Sequence, residues 1–294
     1  MKKILCICLS STIQRTISFK NLSLENVNRS EHYIEHASGK AINSARVLNQ
    51  LEKNCAKILC PIGKNNSEHF LNLAQNDNLN LLSVIIPGNT RTCWTLLDKE
   101  NQTTTEIVVG EPEEHLDQKY EIKILKYLVE TLPNVDAVLL AGSRPKIWSD
   151  DLYSTICALT HDKGKIFLAD YIGDDLKLTL KTSIPDIIKI NDEEFLKTFG
   201  EEDLKSSIIK KSSEFKNMII VTRGKKSTYA AKNGDFFECP TENINIVNTT
   251  ACGDSFNAGF LYEYLNSGNF YNALEKGTWC AAKNAQSEIP GSLI

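Results

Sequence analysis

Much that would narrow the function of this chain is missing from it. The formal net charge is only −4 over 294 residues, which gives no basic surface of the kind that neutralises nucleic-acid phosphates. No run approaches the roughly 18 consecutive apolar residues of a membrane span. Five histidines and no CxxC pair leave no zinc-site spacing. Neither an internal repeat, a low-complexity tract nor a clear linker interrupts the sequence. The opening stretch from Met1 to Leu9 has an apolar run of about half a dozen residues, shorter than a signal-peptide core, and reads as a first strand. Nine scattered cysteines without a secretory signal then read as reduced, buried or half-buried thiols of a cytoplasmic protein.

What is present suits an enzyme-sized core. At 294 residues and 41% hydrophobic, the chain is long enough for one large domain, with or without a small appendage. Strand-like runs at Ile4–Leu9, Ala56–Cys60, Ala137–Leu140, Ile166–Ala169, Ile187–Ile190 and Met218–Val221 are separated by helical patterns such as Glu68–Asn76 and Tyr120–Leu132. Strands spaced by helices imply right-handed crossovers and a mostly parallel sheet covered on both faces, an α/β fold. The stretches Ile17–Ile34 and Leu81–Val109 break the rhythm, and their β-branched, alternating composition predicts a small sheet projecting from the core.

The run from Asn248 to Phe260, NTTACGDSFNAGF, carries the most chemistry. Ala251, Cys252 and Gly253 are small enough for a ligand to approach the backbone, and successive N–H groups opening a helix attract an anion. Asp254, beside that anion hole, is placed to accept the proton of a hydroxyl attacking a phosphoryl group. Equally, Asp254 and Ser255 can cap a helix that Gly259 lets pack closely. Near the other end, Gly39, Lys40 and Asn43 offer close backbone approach, positive charge and an amide for hydroxyl groups. The same segment also reads as a loop feeding an amphipathic helix through Ala41, Ala45 and Leu48.

These two runs resemble the two signatures of the ribokinase-like (PfkB) sugar kinases. Thr249, Gly253, Asp254, Phe256 and Gly259 match the C-terminal one, and Gly39, Lys40, Asn43 and Ala45 the N-terminal one. Further matches follow in the family's order along essentially the whole chain. The resemblance implies a three-layer α/β/α sandwich over residues 1–294, with a small β-sheet lid from segments near 11–36 and 86–110. It implies a kinase using ATP and Mg²⁺, with Asp254 as general base. Lys189, Asn191, Thr222, Gly224 and Asn284 are the implied nucleotide set, with Glu194 acting on Mg²⁺ through water. Ser143, after the apolar run 135–140, is implied as floor between sugar and phosphate, and Asp170 ends a similar strand, where a lone Asp is as often a turn former.

Within the family the likeness is strongest to the hexose-phosphate branch, 1-phosphofructokinase and tagatose-6-phosphate kinase. Arg29, Arg91 and Lys40 are the candidate clamps for a sugar phosphate, the acceptor expected here, since arginine on a lid holds phosphate bidentately. Gln14 stands where the family has an Asp that binds sugar hydroxyls, and Cys93 where a polar residue is expected. Ala251 stands where the family has Gly, so a positive φ there would cost about a kcal/mol or more. An unphosphorylated sugar or nucleoside as acceptor, and a non-catalytic binding protein of the same fold, are the alternatives. A homodimer through the lid completes the expectation.

Overall fold

A computed structural model describes residues 1–31, 33–110, 112, 116–200 and 203–293. In chain order the strands are β1 (Ile4–Ile7), β2 (Thr12–Phe19), β3 (Ile34–Ser38), β4 (Ala56–Gly63), β5 (Leu81–Ile86), β6 (Arg91–Asp98), β7 (Thr103–Val109), β8 (Ala137–Ala141), β9 (Ile166–Asp170), β10 (Ile187–Asn191), β11 (Met218–Arg223), β12 (Lys226–Lys232) and β13 (Asp235–Cys239). The helices are α1 (Lys40–Leu51), α2 (Ser67–Asn76), α3 (Gln118–Thr131), α4 (Leu152–Asp162), α5 (Gly173–Thr182), α6 (Asp192–Phe199), α7 (Leu204–Phe215), α8 (Cys252–Ser267) and α9 (Phe270–Ala285).

Nine strands form one large sheet in the order β13-β12-β11-β10-β9-β8-β1-β4-β5. It is parallel from β11 to β5, and only β12 and β13 run antiparallel. The period of two in β1 decides which core each side chain joins. Ile4 and Cys6 face α1, α8 and α9 in one apolar layer, while Leu5 and Ile7 face the layer that receives α3, α4 and α7. Strands buried on both faces read as continuous apolar runs, as ILCI of β1 and AVLLA of β8 do. Helices on both faces give the three-layer α/β architecture, and the carboxyl ends of its parallel strands share one edge, where such sheets place ligands. Among the described residues no helix is long and apolar enough to cross a membrane.

Four strands form the small sheet, in the order β3-β2-β6-β7. One expectation is corrected here: Leu81–Ile86 does not belong to it. As β5 this segment pairs in parallel with β4 and edges the large sheet. Its apolar, β-branched composition suits either sheet, and pairing with β4 buries Val84 and Ile86 against the α3 side of the core. The small sheet's second half begins instead at Arg91.

Candidate active site

Asp254 is carried by the first turn of α8, and the turn before it has an unusual backbone. Ala251, the residue just outside the helix, sits at φ 66°, ψ 10°. This left-handed conformation suits glycine and costs other residues about 1–2 kcal/mol. Three side chains hold it. Asn248 Oδ1 accepts from the Thr250 N–H at 2.9 Å, Asn284 Nδ2 donates to Thr250 O at 2.8 Å, and Ser44 Oγ donates to Asp254 O at 2.8 Å. The helix then leaves the turn packed tightly on α9: a Cβ on Gly259 would lie 2.6 Å from Cys280 Sγ, so glycine is required there. Of the leading N–H groups of α8, Cys252 N–H donates to Thr249 O at 3.2 Å and Ser255 N–H to Ala251 O at 2.9 Å, while that of Gly253 points out of the first turn without a helix carbonyl to accept it.

Four ionic side chains from four elements converge on this turn. Lys40 opens α1, Asp170 ends β9, Lys189 lies in β10 and Asp254 opens α8. Asp170 is the hub: Lys40 Nζ and Lys189 Nζ each lie 3.2 Å from its carboxylate, and Asn257 Nδ2 donates to it at 2.6 Å. Burial opposes its charge, but the two ammonium groups outweigh burial and hold Asp170 well below the usual carboxylate range. Asp254 has the opposite balance. It is 5% exposed, and burial raises its carboxyl to about 6, with the Asp170 charge adding to the rise and Lys40, Asn43 and Lys189 opposing it. Asn43 Nδ2 donates to Asp254 Oδ2 at 2.9 Å. The two buried carboxylates are thus pushed in opposite directions, Asp170 toward its charged form and Asp254 toward its protonated one. Gly253 packs against Lys189: a Cβ there would come within 2.6 Å of the ammonium, so a larger residue would have to displace it.

A cleft of about 570 Å³ lies beside the turn that carries Asp254, lined by residues of that turn but by none of the four ionic side chains. Thr222, Gly224, Cys252 and Gly253 line it together with the apolar Phe256 and Ala282. Its size and mixed lining suit a nucleotide-sized ligand. At the end of β10, where Asn191 is in register with Thr222, Asn191 and Glu194 form a capping box on α6, Asn191 Oδ1 accepting from the Glu194 N–H at 2.8 Å and Glu194 Oε2 from the Asn191 N–H at 2.9 Å. Glu194 is nonetheless 22% exposed, and its other oxygen lies 3.7 Å from Lys40 Nζ.

The remaining sequence candidates are placed less centrally. Asn284 is buried and spent on the turn: besides Thr250 O it meets Cys252 Sγ at 3.4 Å, and its Oδ1 accepts from the Gly291 N–H at 2.6 Å. It braces the anion turn and is not part of the cleft lining. Gln14 is buried in β2 with its amide on the Thr95 hydroxyl, in register with Cys93 of β6. Arg91 donates to Ser10 O at 3.3 Å, Ser143 is exposed after β8, and Arg29 is exposed on the β2–β3 connection. Gly39, at φ 132°, brings its backbone against Cys8, where a Cβ would lie 2.5 Å from the sulfur. Asn257 was not singled out in the sequence. Its spacing of one helical turn after Asp254 is the signal that could have found it.

Residues 1–292 match the family described as pfkB family carbohydrate kinase. The chain belongs to that family. This pfkB carbohydrate kinase is therefore an ATP-dependent sugar kinase. Among solved structures it is similar to a possible 1-phosphofructokinase from Thermotoga maritima, with a TM-score of 0.88 and 18% identity over 98% of this chain and 93% of that one. Phosphofructokinase-2 from Escherichia coli in complex with fructose-6-phosphate gives 0.84 and 16%, over 97% and 94%. A putative phosphofructokinase from Staphylococcus aureus gives 0.78 and 21%, over 97% and 92%. At such identities the likeness establishes the shared fold.

Proposed function

We propose that this kinase transfers the γ-phosphoryl group of ATP to a hydroxyl of a sugar phosphate, a ketohexose phosphate such as fructose 1-phosphate, fructose 6-phosphate or tagatose 6-phosphate. The observation that carries the reading is the meeting of the Asp254 carboxylate with a helix N-terminus and two ammonium groups, at a turn whose Cys252 and Gly253 also line a nucleotide-sized cleft. The triphosphate would lie against the small-residue turn of Ala251, Cys252 and Gly253, with the Gly253 N–H donating to it and Lys189 and Lys40 neutralising its charge. The acceptor hydroxyl gives its proton to Asp254 as its oxygen bonds to the γ-phosphorus. The bond from that phosphorus to the β–γ bridging oxygen breaks, and ADP leaves. Mg²⁺, when bound, would supply positive charge to neutralise the triphosphate. Glu194 would suit it through water: Oε2 is tied to the Asn191 N–H, while Oε1, facing Lys40 Nζ at 3.7 Å, has lone-pair capacity left to accept from a metal-bound water, and Mg²⁺ keeps several waters.

A phosphorylated acceptor is supported by Arg91 at the base of the small sheet and by Lys40, which is 42% exposed at the start of α1. An unphosphorylated acceptor has one observation in its favour. Gln14 presents a neutral amide already bonded to Thr95, where a carboxylate would hold sugar hydroxyls more strongly. A panel of acceptors in a coupled ADP-release assay decides. Turnover confined to phosphorylated ketohexoses is expected, turnover on neutral sugars alone moves the assignment to the second reading, and turnover on none leaves a binding protein. The same reading carries a homodimer through the small sheet, supported by the exposed Ile107, Val108 and Val109 on edge strand β7. Light scattering reporting a monomer at assay concentration would remove it.

A further inference from the structure

A second charged cluster lies behind the site, on the far side of Asn43. Arg46, one turn along α1, is 7% exposed. Its Nη1 donates to Asn43 Oδ1 at 2.9 Å, and its Nε and Nη2 donate to Asp77 Oδ2 at 3.2 and 2.8 Å. His36 Nδ1 lies 3.1 Å from the same Asp77 oxygen, and Nη2 also reaches the Ala37 carbonyl. The C-terminal segment closes over this group, with Arg46 Nη1 3.3 Å from Pro290 O.

We propose that Arg46 is a positioning residue for the phosphoryl transfer, acting through the Asn43 amide to fix which of its ends faces Asp254; this rests on Asp254 being the base. The argument is one of donors and acceptors. Asn43 Oδ1 has two lone pairs, and both are used, by Ser38 Oγ at 2.8 Å and by Arg46. The Ser38 hydroxyl can donate or accept, so it tolerates either orientation of the amide. A guanidinium only donates. Turning the amide over would set N–H groups against Arg46 and a carbonyl oxygen against the Asp254 carboxylate, two repulsive contacts in a buried place. Arg46 thus leaves a single orientation, in which Nδ2 donates to Asp254 and favours its charged form. Arg46 is itself fixed by Nε and Nη2, which both donate to Asp77 Oδ2.

Without that constraint the amide can present its oxygen to Asp254, which then keeps its proton to higher pH. The charged groups facing Asp254 are Lys40 from α1, Asp170 from β9 and Lys189 from β10, with the thiols of Cys8 and Cys252 nearby. Arg46→Met leaves all of them in place. The test compares pH–rate profiles of kcat/KM for the wild type, Arg46→Met, Arg46→Lys and Asp77→Asn, with Asp254→Asn as reference. Arg46→Met should move the acidic limb up by about one pH unit and lower kcat at neutral pH by about tenfold to a hundredfold, with ATP KM unchanged. Arg46→Lys, which still donates and cannot accept, should restore most of the profile. Asp77→Asn loosens the guanidinium from behind and should shift the limb in the same direction by less, which keeps the question decidable if Arg46→Met does not fold. In an Asn43→Ala background, Arg46→Met should add no further loss. An unmoved acidic limb in a folded Arg46→Met, or additive losses in the double variant, overturns the proposal. Normal turnover by Asp254→Asn would instead remove the base on which it rests.

Discussion

At the scale of single residues, Asp254 and Ala251 both sit in states that cost stability. Burial lifts the Asp254 carboxyl to about 6, well above its value in an unfolded chain, so its protonated form is the one the fold favours. That stabilisation is complete below the unfolded value and is lost as pH rises through about 6, where the buried charge must form. The activity runs the other way. As pH falls through about 6 Asp254, the proposed base, becomes protonated, and kcat/KM should fall with it. Asp254→Asn should lower kcat by about two to four orders of magnitude while leaving nucleotide affinity little changed and raising Tm at neutral pH, an outcome checked by steady-state kinetics beside calorimetry. Near-normal turnover would sink the assignment. Ala251 offers a separate test. Its left-handed backbone costs about 1–2 kcal/mol, while the extra unfolded freedom of glycine costs about 0.5–1 kcal/mol, so Ala251→Gly should gain up to about 1.5 kcal/mol in a denaturation curve. Unchanged or reduced stability would show that Asn248 and Asn284 already relieve the turn.

At the scale of elements, the Asn191–Glu194 capping box is both a helix cap and a candidate phosphate-side group, and one substitution separates the roles. Glutamine serves a capping box as well as glutamate does. Glu194→Gln should therefore keep α6 and Tm intact while raising the Mg²⁺ concentration needed for half-maximal rate; an unchanged Mg²⁺ titration with unchanged Tm would leave only the cap. Elements were also where the sequence was most readable. The run from Thr249 to Gly259 packs its small residues, its carboxylate and its close-packing glycine within three helical turns, so spacing alone reveals their relation. Strand ends such as Asn191 and Thr222 were equally legible, because an apolar run followed by polar residues marks where a parallel strand delivers its side chains. What escaped depended on tertiary placement. Asp170 looks like a turn former until Lys40, 130 positions away, is seen against it. Arg46 reads as one more polar position on an amphipathic helix, and only the fold shows it enclosed by β3, Asp77 and the C-terminal segment. Leu81–Ile86 was drawn to the wrong sheet because β-branched composition does not say which neighbour a strand will have.

At the scale of the whole molecule, the nine thiols are distributed in one informative way. None is in a disulfide, and eight are buried in the layers around the sheet, leaving Cys252 as the one with partial access to solvent. Cys252 lines the cleft beside Gly253, where the proposed triphosphate would lie, and burial pushes its thiol up to about 11. Most of its population is therefore protonated and slow to react at neutral pH. The folded protein thus carries a native footprinting probe that needs no engineered label. Alkylation followed by intact-mass measurement should add a single slow adduct, faster at higher pH, and saturating ATP should retard it, whereas unfolding should release all nine. An alkylation rate indifferent to ATP would mean that the nucleotide occupies some other part of the surface.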